Sequence, residues 1–221
     1  MVFLKIRQAM AYCRPMKDIA IIGSGNIGGN LGRLFAAKHN VTLGSRDPEH
    51  TRTKFPDLKV ADYAQAVASA DIVFLAVPFS EVAAIAAKVG GLAGKTLVDV
   101  TNPLTADFMA LTIGHTTSAG EAVQKAFPQA RVVKAFNTVL AQVLAKAVAG
   151  AKSLPSVLIA GNHAEANAEV AQLAKDAGFG AFDTGPLTNA RYLEPLAELG
   201  IQLAYGKGHG GEVGFTFAPV N

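Results

Sequence analysis

The residues with the plainest chemical use lie near the start of the chain. Gly23-Ser24-Gly25-Asn26-Ile27-Gly28 spaces three glycines as GxGxxG. That spacing suits a loop that wraps a pyrophosphate. Gly23 permits the tight turn, Gly25 lets the backbone approach the ligand, and Gly28 lets a helix pack close to a strand. The N-terminus of the helix that follows would then offer free N–H groups and a positive dipole end to the phosphates. Taken alone the pattern is weak, because a glycine turn can bind nothing. Here its surroundings support it: the apolar run Ile19-Ala20-Ile21-Ile22 precedes it, a helical pattern over 26–38 comes after it, and Val41-Thr42-Leu43 comes next as a strand.

The end of that second strand separates two cofactors. An acid there would accept a hydrogen bond from the ribose of NAD. This sequence instead has Gly44-Ser45-Arg46. A guanidinium binds a 2′-phosphate bidentately and stacks on adenine, and a serine hydroxyl can donate beside it. His50, Arg52 and Lys54 add basic options, and Asp47, if directed away, need not interfere. The expected ligand is therefore NADP(H), the alternative being a solvated Arg46.

Ligands of open α/β sheets sit beyond the carboxyl ends of the strands. Three further strand ends qualify: Ala76-Val77-Pro78-Phe79, Thr101-Asn102-Pro103 and Phe136-Asn137-Thr138. Ala76, Val77 and Pro78 could wall the nicotinamide side. Asn102, Phe136 and Asn137 could hold the carboxamide or a second substrate. Equally, Pro78 and Pro103 could simply end strands, and Asn137 could cap a helix. No His-Asp pair or Ser-His-Asp arrangement emerges, so no catalytic acid or base is assigned. His115, His163 and His209 are read as solvated or structural, and Lys134, inside a strand, as structural.

The elements that must position these groups alternate. Strands are expected near 58–60, 72–77, 96–100, 131–136, 157–160 and 179–183. Helices are expected at 62–68, 81–89 capped by Ser80, 118–127, 164–177 and 189–205, the last kinked at Pro195. A glycine-rich tail, expected to be flexible, closes the chain. This order predicts an α/β fold: a Rossmann-type, doubly wound parallel sheet with a small C-terminal α/β extension. The divisions expected are an N-terminal extension over 1–15, loosely ordered, a nucleotide-binding domain over 16–136, and an extension over 137–221 that completes the sheet and cleft. An extra strand or a targeting segment is the alternative for residues 1–15.

Composition narrows the class. Half of the 221 residues are hydrophobic, 17% are charged, and the net charge is +3. The small basic excess is unclustered, which argues against nucleic acid. The single Cys13 excludes an internal disulfide or a cysteine metal site and suits a reducing cytoplasmic setting. No apolar run reaches the ~20 residues of a membrane span, so no membrane association is expected.

Taken together, the sequence resembles the F420-dependent NADP oxidoreductase family over residues 16–217. The resemblance rests on Gly23 to Gly28, Gly44-Ser45-Arg46 and Val77-Pro78. It rests also on Asp183-Thr184-Gly185-Pro186-Leu187, Asn189-Ala190-Arg191 with Leu193-Glu194, and Gly211-Glu212-Val213-Gly214-Phe215. It implies hydride transfer between NADP(H) and the deazaflavin coenzyme F420. It places Ser24 to Ile27 on the pyrophosphate, and Ser45, Arg46 and His50 on the 2′-phosphate, His50 taking the place of a lysine. The glycine-rich tail would close over the nicotinamide. Asn137 departs from the histidine of deazaflavin-using relatives. Phe136-Asn137-Thr138 is the version that bacterial relatives share with the cytosolic reductase domains of membrane-bound ferric reductases, whose acceptor is a flavin. The partner expected is thus a small-molecule electron acceptor or donor. A homodimer is expected if the apolar C-terminal helix (Leu193, Leu196, Leu199, Leu203) pairs with a second copy instead of covering the sheet. The alternatives are an imine or carbonyl reductase and a non-catalytic NADP(H) sensor.

Overall fold

A computed structural model describes residues 15–220. The extension expected over 1–15 lies, apart from Pro15, outside the described residues, as does Cys13. The strands are β1 (Asp18–Ile22), β2 (Asn40–Gly44), β3 (Lys59–Ala61), β4 (Ile72–Leu75), β5 (Thr96–Asp99), β6 (Arg131–Lys134), β7 (Ser156–Gly161) and β8 (Gly180–Asp183). They form one eight-stranded sheet in the order β3-β2-β1-β4-β5-β6-β7-β8. The chain starts in the middle, winds to one edge and then to the other, which places a switch point between β1 and β4.

Every apolar position of the central strands is buried because both faces are covered. In β1, Ile19 and Ile21 point to one face and Ala20 and Ile22 to the other. On the first face lie helices α1 (Asn26–Ala36), α6 (Ala141–Val148) and α7 (Ala164–Asp176). Their Leu31, Phe35, Leu144 and Val170 meet Phe74, Phe136 and Phe179. On the second lie α3 (Tyr63–Ala68), α4 (Val82–Val89) and α5 (Ala119–Ala126), contributing Val67, Ile85 and Val123. The first core includes residues from Ile19 to Phe179, so packing is continuous across position 136.

Local signals explain several starts. Asp47 accepts from His50 N–H at 3.0 Å and Pro48 opens α2 (Pro48–Lys54). Asp62 caps α3 through Gln65 N–H. Ser118 caps α5 through Glu121 N–H at 3.1 Å, with the glutamate at the third helical position.

Four expectations are corrected. Ser80 caps nothing: Phe79–Glu81 is a 3-10 turn that runs straight into α4. Strand β4 ends at Leu75, leaving Ala76 to Pro78 as a connection across the strand ends. Helix α6 was not expected. Strand β7 runs antiparallel to β6, with Val133 facing Gly161 and Lys134 facing Ala160. The connection between the two strands passes through α6 and a turn at Gly150, which has φ +87°. It delivers the chain to β7 near the end where β6 left off. β8 then pairs parallel to β7.

The C-terminal helix is also in pieces. A 3-10 turn (Leu187–Asn189) leads to α8 (Ala190–Ile201), with Pro195 inside it, and then a π-helical turn (Gln202–Gly206). Its apolar residues divide: Leu193 and Ala197 are buried, while Tyr192, Leu199 and Leu203 face outward. The tail is anchored beyond its glycines, where Ser156 N–H donates to Phe215 O at 2.9 Å and Phe217 N–H to Ser156 Oγ at 2.9 Å.

Candidate functional site

A cavity of about 430 Å³ lies where the ends of β1, β2 and β4 meet. It gathers Gly23, Ser24, Gly25, Ser45, Arg46, His50, Ala76, Val77 and Pro78. Asp47, Thr51, Tyr63, Glu81 and Ile85 line it as well.

The three glycines behave differently. Gly23 has φ +113°, and a Cβ there would stand 2.3 Å from Ala76 O. A Cβ on Gly28 would stand 1.9 Å from Gly23 O, so this glycine lets α1 seat against the turn. A Cβ on Gly25 would meet nothing within 4 Å. Gly25 precedes α1, which has no side-chain cap and no acid in its first turn. The first N–H groups of α1, including those of Asn26 and Ile27, thus stay available for an anionic ligand, and the open space at Gly25 fits the approach of a pyrophosphate. Asn26, Ile27 and Gly28 do not line the cavity with their side chains. Ile27 leans on the core and Gly28 is buried.

The 2′-phosphate corner is built by β2 and α2. Ser45 is buried, and its Oγ accepts from Asp47 N–H at 3.1 Å. Arg46 is exposed and in no salt bridge among the described residues. Asp47 faces α2 through its carboxylate, which leaves the guanidinium free for a phosphate. His50 stands at the same rim. Arg52 and Lys54 do not: Arg52 bridges Glu49 at 2.6 Å and Lys54 sits over the Phe55 ring. Burial raises the Tyr63 hydroxyl above its ordinary range, with Glu81 adding to the rise and Arg46 opposing it.

Three expected residues stand apart from this cavity. Asn102 Nδ2 donates to Asn137 O at 2.8 Å, and Asn137 Nδ2 donates to Asn102 Oδ1 at 3.0 Å and to Leu193 O at 3.0 Å. The pair ties the ends of β5 and β6 to α8. Asn137 does not cap a helix, since α6 starts after Leu140. Phe136 is corrected as a side-chain contact. Its ring lies in the core, 6.0 Å from Phe35 and Phe74 and 6.1 Å from Phe179, and its backbone takes φ +61°. Only its main chain can face a ligand.

Behind the asparagines lies a buried charge cluster. Lys134 Nζ is 2.9 Å from Asp99 Oδ2 and 2.8 Å from Glu194 Oε1, and it donates to Thr101 O at 2.6 Å. Glu194 also accepts from the N–H groups of Ala119 and Gly120, at 2.9 and 3.0 Å. Beside it Arg191 pairs with both oxygens of Glu121. The segment Asn189 to Glu194 therefore clamps α8 to the start of α5. Lys134 is fully buried, and its ammonium has three partners within this cluster.

Sequence reading passed over Thr51, Tyr63, Glu81 and Ile85. Thr51 carried a signal, because a hydroxyl one helical turn after Asp47 returns to the end of β2 once Asp47 caps α2. The other three are brought in by α3 and by the turn after Pro78.

Fold and site together define a Rossmann-type, NADP-dependent oxidoreductase. Residues 18–103 match the family described as NADP oxidoreductase, coenzyme F420-dependent. A solved protein from Arthrobacter sp. FB24, a candidate F420-dependent NADP-reductase, is 34% identical. The match covers 92% of this chain and 100% of that one, with a TM-score of 0.82. A hypothetical protein from Sinorhizobium meliloti is 32% identical over 82% of this chain and 91% of its own, with a TM-score of 0.70. The metalloreductase STEAP3 of Rattus norvegicus is 34% identical over 180 residues, 80% of this chain but 36% of the relative, so the chain spans about a third of that protein's length. This chain belongs to the family of F420-dependent NADP oxidoreductases. No helix among the described residues is long and apolar enough to cross a membrane.

Proposed function

We propose that the chain transfers hydride between NADP(H) and a ring-type electron carrier, either the deazaflavin F420 or a flavin. The observation that carries the nucleotide half is one cavity that joins the open approach at Gly25 to Ser45 and an unpaired Arg46. The family description and the Arthrobacter relative support the deazaflavin. The similarity to a metalloreductase supports an acceptor of another kind.

The nicotinamide, when bound, supplies the hydride. The chain's own work is binding, orientation and exclusion of water. The N–H groups around Gly25 to Ile27 would hold the pyrophosphate, and Ser45, Arg46 and His50 the 2′-phosphate. Ala76, Val77 and Pro78 offer an apolar wall along the ribose and ring. The locked Asn102–Asn137 pair would fix the floor at the neighbouring strand ends. No general acid is required of the protein.

Anaerobic oxidation of NADPH should be followed with F420, FMN and FAD in parallel. Turnover with one of them supports the reading. Tight NADPH binding without turnover on any of the three overturns it in favour of an NADP(H)-sensing role. The homodimer is a separate proposal, supported by the outward Tyr192, Leu199 and Leu203. Light scattering of the full chain tests it, and a monomer ends it.

A further inference from the structure

Three hydroxyls from three separate elements converge in the cavity. Ser45 Oγ and Thr51 Oγ1 are 2.7 Å apart, Ser24 Oγ and Thr51 Oγ1 3.3 Å, and Ser24 Oγ and Ser45 Oγ 3.5 Å. Thr51 makes the two shorter of the three contacts, and at 4% exposure it is more enclosed than either serine. We infer that Thr51 is a positioning residue for recognition of the 2′-phosphate, and so helps set the preference for NADPH over NADH. The inference rests on the NADP(H) reading above and deepens it.

The hydroxyl protons decide the roles. Ser45 Oγ has one proton and two acceptor sites. One acceptor site is filled by Asp47 N–H at 3.1 Å. The proton can go to Asp47 O, also at 3.1 Å, or outward to a ligand. A phosphate monoester brings oxygen acceptors and roughly −1.5 to −2 charge, so the wall must present donors. When Thr51 donates to Ser45, both acceptor sites of Ser45 are filled. Its rotamer is then fixed by two partners, and its proton is the one element left to turn toward the phosphate. Thr51 has a single proton, so with that proton on Ser45 it can hold Ser24 only by accepting from the Ser24 hydroxyl, at 3.3 Å. Thr51 thus acts through Ser45, and its buried hydroxyl need not touch the phosphate.

Removing that hydroxyl leaves Ser45 with an acceptor site that Thr51 no longer fills, in a buried corner, and takes from Ser24 the nearer of its two hydroxyl neighbours. Thr51→Val keeps the branched shape but not the hydrogen bond. Binding of 2′,5′-ADP and of 5′-AMP should be measured by calorimetry for the wild type, Thr51→Val, Thr51→Ala and Thr51→Ser. The expected result is a Kd for 2′,5′-ADP raised roughly tenfold in Thr51→Val, consistent with loss of about one hydrogen bond. The Kd for 5′-AMP should stay within about twofold, and Thr51→Ser should recover the wild-type ratio. Should Thr51→Val fail to fold, Thr51→Ala carries the same comparison. Equal weakening of both nucleotides, or no change in either, overturns the inference and leaves Thr51 a packing residue. A wild type that does not prefer 2′,5′-ADP overturns the NADP(H) reading itself, an outcome visible before any variant is compared.

Discussion

The ammonium of Lys134 lies 2.8 Å from the carboxylate of Glu194, and the two side chains are 0% and 1% exposed. Sixty positions apart in the chain, they join the end of β6 to α8. Asp99 supplies a second carboxylate on the same ammonium. The N–H groups at the start of α5 absorb the remaining negative charge, the favourable end of a helix for an anion.

Removing the lysine should therefore be severe. Lys134→Met leaves two carboxylates buried without their counter-ion, and breaking such a cluster costs about 3–5 kcal/mol. Urea unfolding of the variant should show a loss of stability of that size, with NADPH affinity lost only as the fold is lost. A variant as stable as the wild type would show the cluster to be dispensable.

The glycines of the turn should separate fold from ligand. Gly28→Ala drives a methyl against the Gly23 carbonyl, so both melting temperature and NADPH binding should fall. Gly25→Ala meets open space in the free protein, at an ordinary φ of −78°. It should melt like the wild type yet bind NADPH far more weakly, because the methyl occupies the pyrophosphate's path. Unchanged binding in Gly25→Ala would place the phosphates elsewhere.

Arg46 should decide nucleotide choice. Arg46→Ala removes a charge-assisted contact worth about 1.5–3 kcal/mol, roughly 10–100-fold in NADPH affinity. NADH binding should change little. Parallel fluorescence titrations with the two nucleotides check this, and equal losses would contradict the assignment.

Acid should weaken the clamp on α8. Hydrogen bonds from Arg191, chiefly, hold the Glu121 carboxyl below its ordinary range, and they outweigh the opposing effect of burial. A folded-state pKa below the unfolded one adds stability above the unfolded value, about 4.3, and loses it as pH falls through the folded value. Wild type should therefore melt above Arg191→Met at neutral pH, with the difference shrinking below about pH 4.3. A gap independent of pH would mean that the pair contributes packing alone.

How much the sequence disclosed depends on how local each signal is. The run Ile19 to Ile22 before Gly23 marks β1 and its turn directly, since a strand covered on both faces must be apolar throughout. Asp62 and Ser118 mark their helices because a cap acts within three residues. The direction of β7 has no such signature: Ser156 to Gly161 reads the same in either orientation. Helix α6 comes after a strand without a cap and carries only Val143 and Leu144 as fully buried residues. The left-handed backbone of Phe136 was invisible for the same reason. A bulky residue takes that conformation only when tertiary packing imposes it. Thr51 became part of the site through the return of α2 onto the end of β2, which charge-based reading of His50, Arg52 and Lys54 did not capture.

The core that runs unbroken past position 136 packs the half that carries the glycine turn against the C-terminal third of the chain. A polypeptide stopped after β6 would lose Val143, Leu144, Val157 and Ile159 from the core around Phe136, and would leave Lys134 facing Asp99 with no Glu194.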